Sequence, residues 1–171
     1  MARGDQELGM ASRLQAEAIG APGQRRFRLV VEAEGGSALL WVEKEQLLEL
    51  AIAIKRVLVA APQAASPPVA PRPSGRNTSR ELTVSSLSLY HDSKRNLFCL
   101  RAEEASETEE RPRLRFWAGE QLLAGVSEEA LRVVAAGRPR CPLCGALTEP
   151  DPHVCARGNG HFNIAREEGL K

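Results

Sequence analysis

The tetrapeptide Glu-Gln-Leu-Leu occurs twice, as Glu45-Gln46-Leu47-Leu48 and Glu120-Gln121-Leu122-Leu123, each time after a short apolar run containing tryptophan. Aligned on it, Trp41 falls opposite Phe116; further upstream Phe27 falls opposite Leu97 and Ile19 opposite Leu89, the longer acidic loop (103–110) absorbing the difference. A chain that repeats its own pattern is confined to architectures built from two like units. Each unit reads strand-strand-strand-helix. A lone unit would leave its sheet under-covered, whereas two units sharing a sheet or packing face to face bury far more apolar surface, at roughly 25 cal/mol per Å2. The expected fold class is therefore α+β, with two such repeats packed together and a small C-terminal zinc-knuckle segment. The expected parts are residues 12–59, a Pro-rich linker 60–80, a second repeat 81–137 and a metal segment 138–163.

Local patterns support that reading. Residues 1–11 look unpatterned and are expected to fray. From Arg13 to Ile19, Leu14, Ala16 and Ala18 alternate with polar residues, a strand signal. Two β-rich runs, 27–31 and 38–42, flank Gly35-Gly36 and predict a hairpin. Leu47, Leu50, Ala51, Ile54 and Leu58 then recur at three and four, the stripe of an amphipathic helix. Prolines 62, 67, 68, 71 and 73 lie among Ala, Ser and Arg, a composition expected to stay extended. In the second half, strands are expected over 82–90 (with a change of phase near Leu87), 97–100 and 113–117. A helix is expected over 119–136, with Leu122, Leu123, Val126, Ala130, Leu131 and Val134 inward. Gly125 and Ser127 are positions where that helix can kink or restart, since Ser127 before two glutamates matches a helix N-cap pattern.

The chemistry is concentrated near the end. Cys141, Cys144, His153 and Cys155 follow the order C-x2-C-x8-H-x-C. A Cys-x-x-Cys turn closed by Gly145 aims both sulfurs at one point, and His153 and Cys155, two apart, leave an extended segment on one face. Four such ligands suit tetrahedral Zn2+. A disulfide is the competing reading; clustered spacing without a secretory signal favours metal. His161, with five residues between it and Cys155, is the alternative fourth ligand, and Arg157 and Asn159 are solvated residues or outer supports of the loop. Cys99 stands apart and reads as a small apolar core residue.

Four protein ligands make a closed, structural site, whereas a catalytic zinc keeps a position for water. The zinc deaminase pattern is absent, since Arg140 precedes Cys141 and His91 is followed by Asp92-Ser93. A redox role for the pair would want it to open a helix after a strand; here a helix precedes it. No G-x-S-x-G turn or phosphate loop occurs. Gly20-Ala21-Pro22-Gly23 with Arg25 and Arg26 is a phosphate cradle or, more simply, a turn, and His91-Asp92 is an acid/base pair or a polar hairpin tip. No catalytic residue is assigned.

The 171 residues carry 23 basic and 22 acidic side chains, a net charge of +1. That balance argues against a dedicated nucleic-acid coat, although Arg132, Arg138, Arg140, Arg157 and Arg166 gather around the metal segment. No apolar run long enough for a membrane span occurs, and the start, Met1-Ala-Arg-Gly-Asp-Gln-Glu, lacks the apolar stretch of a signal peptide, so a cytoplasmic location is expected.

Three stretches carry a family resemblance: Gly20-Ala-Pro-Gly-Gln-Arg-Arg-Phe27, Glu43-Lys-Glu-Gln-Leu-Leu48, and Val133-Val-Ala-Ala-Gly-Arg-Pro-Arg-Cys-Pro-Leu-Cys-Gly145. They resemble the bacterial domain of unknown function 3090 family over about residues 13–162. Members typically close with G-H-x-C-P-R-x-N-G and an aromatic. Here Pro152 replaces the glycine, Ala156 the proline, and His161 stands at the aromatic. The resemblance supports the fold and the zinc site and implies no activity. The expected function is thus an uncharacterised zinc-binding protein, a non-catalytic scaffold or adaptor for a protein partner. A nucleic-acid-binding module is the alternative, and an enzyme of unknown reaction the third reading.

Overall fold

The computed structural model describes residues 5–21, 23–61, 79–106, 112–137, 141–146 and 155. The elements run β1 (Asp5–Ile19), β2 (Arg26–Ala33), β3 (Gly36–Val42), α1 (Lys44–Ala60), β4 (Ser79–Asp92), β5 (Leu97–Glu104), β6 (Arg113–Ala118) and α2 (Glu120–Ala135). Contacts divide the chain into two compact units, Met1–Ala135 and Ala136–Lys171. The expected linker, apart from its ends, lies outside the described residues.

In the first unit the six strands close a barrel in chain order. Neighbours are antiparallel except at two seams, β3–β4 and β6–β1, which are parallel. A parallel pair needs a crossover, and α1 is the element between β3 and β4. The seams depend on two long strands. β1 pairs with β6 through residues 5–10 and with β2 through residues 11–19. β4 pairs with β3 through residues 79–83 and with β5 through residues 84–92. Each strand changes partner at a bulge, between Ala11 and Arg13 and between Val84 and Ser86. A serine sits in each bulge and donates its hydroxyl to the facing strand, Ser12 to Glu32 O (3.2 Å) and Ser85 to Glu103 O (3.1 Å). The bulge residue shifts which side chains face inward, and this is the phase change visible near Leu87.

Three expectations are corrected. Residues 5–11 of the expected frayed start belong to a strand: β1 begins at Asp5, and Leu8 and Ala11 are buried. The missed half pairs with β6, far away in sequence, where Glu7 accepts from the Trp117 indole (3.1 Å) and from Arg115. The alignment of the two halves is one residue off. Trp117, not Phe116, takes the place of Trp41, because Trp41 and Trp117 alternate with inward-facing Leu40 and Phe116. Likewise Phe98, not Leu97, matches Phe27: each is buried and faces the last residue of the next strand, Ala118 and Val42. A one-residue slip in a strand exchanges its two faces. The third correction concerns Ser127. α2 is continuous, and Ser127 is buried in its middle with Oγ donating to Ala51 O on α1 at 2.9 Å. Its hydroxyl ties two helices together instead of capping one.

The helix faces otherwise follow their periodicity. Leu47, Leu50, Ala51 and Ile54 of α1 are buried, as are Leu123, Val126, Ser127 and Ala130 of α2, and the two quartets have the same spacing. The apolar members join one core with Leu8, Leu29, Leu40, Phe98, Leu100, Leu114 and Phe116. Side chains therefore fill the barrel, as expected of a small one. Cys99 is buried, but it alternates with core residues Phe98 and Leu100 and so lies on the outer face, flanked by Tyr90 and Trp117. Burial pushes its thiol pKa up. No helix among the described residues is long and apolar enough to cross a membrane.

Two outcomes test this account. Ser127→Ala should lower the unfolding free energy by about 1 kcal/mol, read as a lower urea midpoint at unchanged slope. The Glu7 carboxyl is held below its ordinary range, chiefly by the Trp117 indole and then by Arg115. A depressed carboxyl stabilises the fold above its unfolded pKa and loses that contribution as pH falls through the folded value. Wild type should therefore lose more stability than Glu7→Gln between about pH 5 and about pH 3, and parallel profiles would contradict it.

Candidate metal centre

Past residue 137 the described chain resumes at Cys141. The turn that follows is closed by two backbone hydrogen bonds, Gly145 N–H to Cys141 O and Cys141 N–H to Ala146 O, both 2.8 Å. Gly145 has φ +74°, in the left-handed region that glycine adopts without the strain a Cβ brings, and this lets the chain curl past this point. A Cys-x-x-Cys sequence in this turn brings both sulfurs to one side. Cys155 arrives from later in the chain, and the sulfurs of Cys141, Cys144 and Cys155 all lie within 4.8 Å of one another.

That spacing fits a metal. With metal–sulfur bonds of about 2.3 Å, tetrahedral coordination puts sulfurs about 3.8 Å apart, which is inside the observed limit. None of the three cysteines is joined in a disulfide. Cys141 is buried, Cys155 half-buried and Cys144 exposed. The Cys141 thiol is lowered to about 6. Hydrogen bonds from the Cys144 and Leu143 backbone do most of this, and the Cys155 and Cys144 side chains add to it. The same turn that gathers the sulfurs thus stabilises a thiolate, the form that binds metal.

The structure brings together three of the four residues singled out for the metal. His153 and the alternative ligand His161 lie outside the described residues, as do Arg138, Arg140, Arg157, Asn159 and Arg166. Cys99 lies in β5, in the barrel unit. The weaker candidates are engaged in the fold. His91 stacks on Phe98 with ring centroids 4.6 Å apart, and Asp92 accepts the Lys94 and Arg95 backbone N–H at 3.0 and 3.2 Å. That is a hairpin tip held by an Asx turn, with no acid/base pairing between the two. Arg26 lies 4.0 Å over the Trp41 ring. Sequence reasoning did not find the paired Trp–Glu contacts, Trp41 to Glu81 and Trp117 to Glu7, across the two parallel seams. The two tryptophans were visible, but their matching needed the corrected register.

Replacing any of Cys141, Cys144 or Cys155 with serine should abolish metal retention through gel filtration, measured by elemental analysis. Cys99→Ser should leave the metal content unchanged.

The model of a family described as a protein of unknown function (DUF3090) matches residues 7–155, a span that includes the whole barrel from Glu7 and all three clustered cysteines. No curated protein matches the chain.

Proposed function

We propose that this chain, which belongs to the DUF3090 family, is a zinc-binding protein whose metal is structural and which acts as a non-catalytic scaffold or adaptor for a protein partner. The convergence of three sulfurs on the Cys141 turn carries this reading. The ion is held by Cys141, Cys144 and Cys155 with His153 as the fourth ligand, His161 being the alternative. Three thiolates and an imidazole are soft to borderline donors, a set that selects zinc over magnesium or calcium. A site closed by four protein ligands has no position for a substrate or an activated water, so its contribution is to hold its own segment together. The two halves are read as copies of one strand-strand-strand-helix unit, supported by their common element order and matched bulges.

Nucleic-acid binding is the second reading, and the outer barrel face is what favours it. Arg26 and Arg28 lie over Trp41, Arg95 over Trp117 and Arg101 over Tyr90. Those guanidinium groups cover ring faces that bases would need for stacking, which ranks this reading behind the first.

Purified protein should carry about one zinc per chain, since one cluster offers one tetrahedral site. Chelation should raise hydrogen exchange at residues 141–146 and leave the barrel strands protected. Protein free of zinc with an unchanged exchange profile would overturn the structural-zinc reading. Oligonucleotide binding that falls steeply with salt would move the assignment to the second reading.

A further inference from the structure

The two halves of the barrel differ at a matched helix position, and a cleft lies beside it in one half. Beyond its bulge, β1 has β2 on one side only, and the N–H of Ala16 turns away from β2. Glu129 of α2 covers this edge: its carboxylate accepts the Ala16 N–H at 2.9 Å and stands 3.7 Å from Arg132 one turn on.

Leu89 is the counterpart of Ala16. Ala16 faces Leu29, which faces Leu40; Leu89 faces Leu100, which faces Phe116. The Glu104 N–H donates to Pro112 O at 2.9 Å, so by alternation Ala102 and Leu100 also turn their backbone groups to β6. Their partners on β4, Leu87 and Leu89, must then turn N–H and C=O away from β5, to an edge that no strand among the described residues covers. The matching helix position to Glu129 is Ala53, since each follows the second buried residue of its quartet by three. Alanine is too short to reach the strand. A cleft of about 350 Å3 lies there instead, between Gln46, Glu49, Leu50 and Ala53 of α1 and the Ser85–Leu89 stretch of β4. Arg56 stands on α1 where Arg132 stands on α2 and has no ion pair among the described residues.

We propose that this cleft binds an extended peptide segment of a partner protein, with a glutamate carboxylate taking the place that Glu129 fills in the other half. The Leu89 N–H and the Arg56 guanidinium are its counterparts to the Ala16 N–H and Arg132. The peptide main chain adds to the β4 edge at Leu87, a strand-addition mode that uses both its N–H and its C=O. Leu50, Leu87 and Leu89 give the cleft an apolar lining for one neighbouring side chain. Exposed Glu49, one turn before Ala53, disfavours a second acid, so the segment carries a single carboxylate at this point. Gln46 limits the cleft at its start, donating its amide to Ser85 O at 3.0 Å. The inference is independent of the zinc assignment, because every group involved belongs to the barrel unit.

The minimal probe is N-acetyl-glutamate N-methylamide, with the glutamine analogue as control, titrated into the isotope-labelled full chain to about 50 mM, the range that detects millimolar affinity. The glutamate compound should shift the Leu87 and Leu89 amide resonances saturably, and the glutamine compound should bind about tenfold more weakly. Ala53→Glu should place a carboxylate on the Leu89 N–H in cis, slow its exchange and abolish the titration. Arg56→Ala, at an exposed site, should weaken it several-fold. Equal response to both compounds, shifts centred elsewhere, no shift, or an Ala53→Glu variant that folds and still titrates would each overturn the proposal.

Discussion

Two strands, β1 and β4, hold the barrel unit together because each serves two sheets. Without the bulges at Ser12 and Ser85 neither could leave one partner and take up the next, and the sheets would not close. Closure removes sheet edges along the seams, and the seams are further fastened on the outer face by Trp41 on Glu81 and Trp117 on Glu7. Past each bulge one edge stays open, and the helices pack beside it. Helix placement thus follows from strand sharing, and the helix pair is then locked by Ser127 on Ala51.

Strand sharing also explains why two similar halves need not be equivalent. The same edge is covered by Glu129 in one half and faces a cleft beside Ala53 in the other. Where α2 presents Glu129 to its strand edge, α1 presents the short Ala53, and the β4 edge beside it is lined by a cleft. The metal segment obeys a separate logic. Its turn is too short to bury a core and is held by two backbone hydrogen bonds, a left-handed glycine and sulfurs drawn to one point. A segment of this kind gains most from a bound ion, since metal binding supplies the folding energy its packing lacks.

Much of this was legible in the residues. The stripe Leu47, Leu50, Ala51, Ile54 defined α1 and its buried face, and the Cys-x-x-Cys spacing with Cys155 located the sulfur cluster. Repetition of Glu-Gln-Leu-Leu was a partial guide. It drew attention to two like halves but set them one residue out of step, because identical letters fall on different faces: Leu48 is exposed, whereas Leu123 is fully buried. Burial of alternate strand residues and their pairing partners fix the step. The first half of β1 was missed for a related reason. Its stabilising contacts, Glu7 with Arg115 and Trp117, are more than a hundred residues distant, and no local period announces them. Ser127 looked like a cap because a serine before glutamates prefers helix starts; a buried carbonyl acceptor on α1 outweighed that local preference.

The central functional claim is that sulfur ligands of one short turn, joined by Cys155 and an imidazole, hold zinc. X-ray absorption at the zinc edge of the purified full chain tests it most directly. The account predicts a four-coordinate first shell of three sulfurs at about 2.3 Å and one nitrogen at about 2.0 Å. A shell of oxygens, or zinc with no sulfur neighbours, would contradict it.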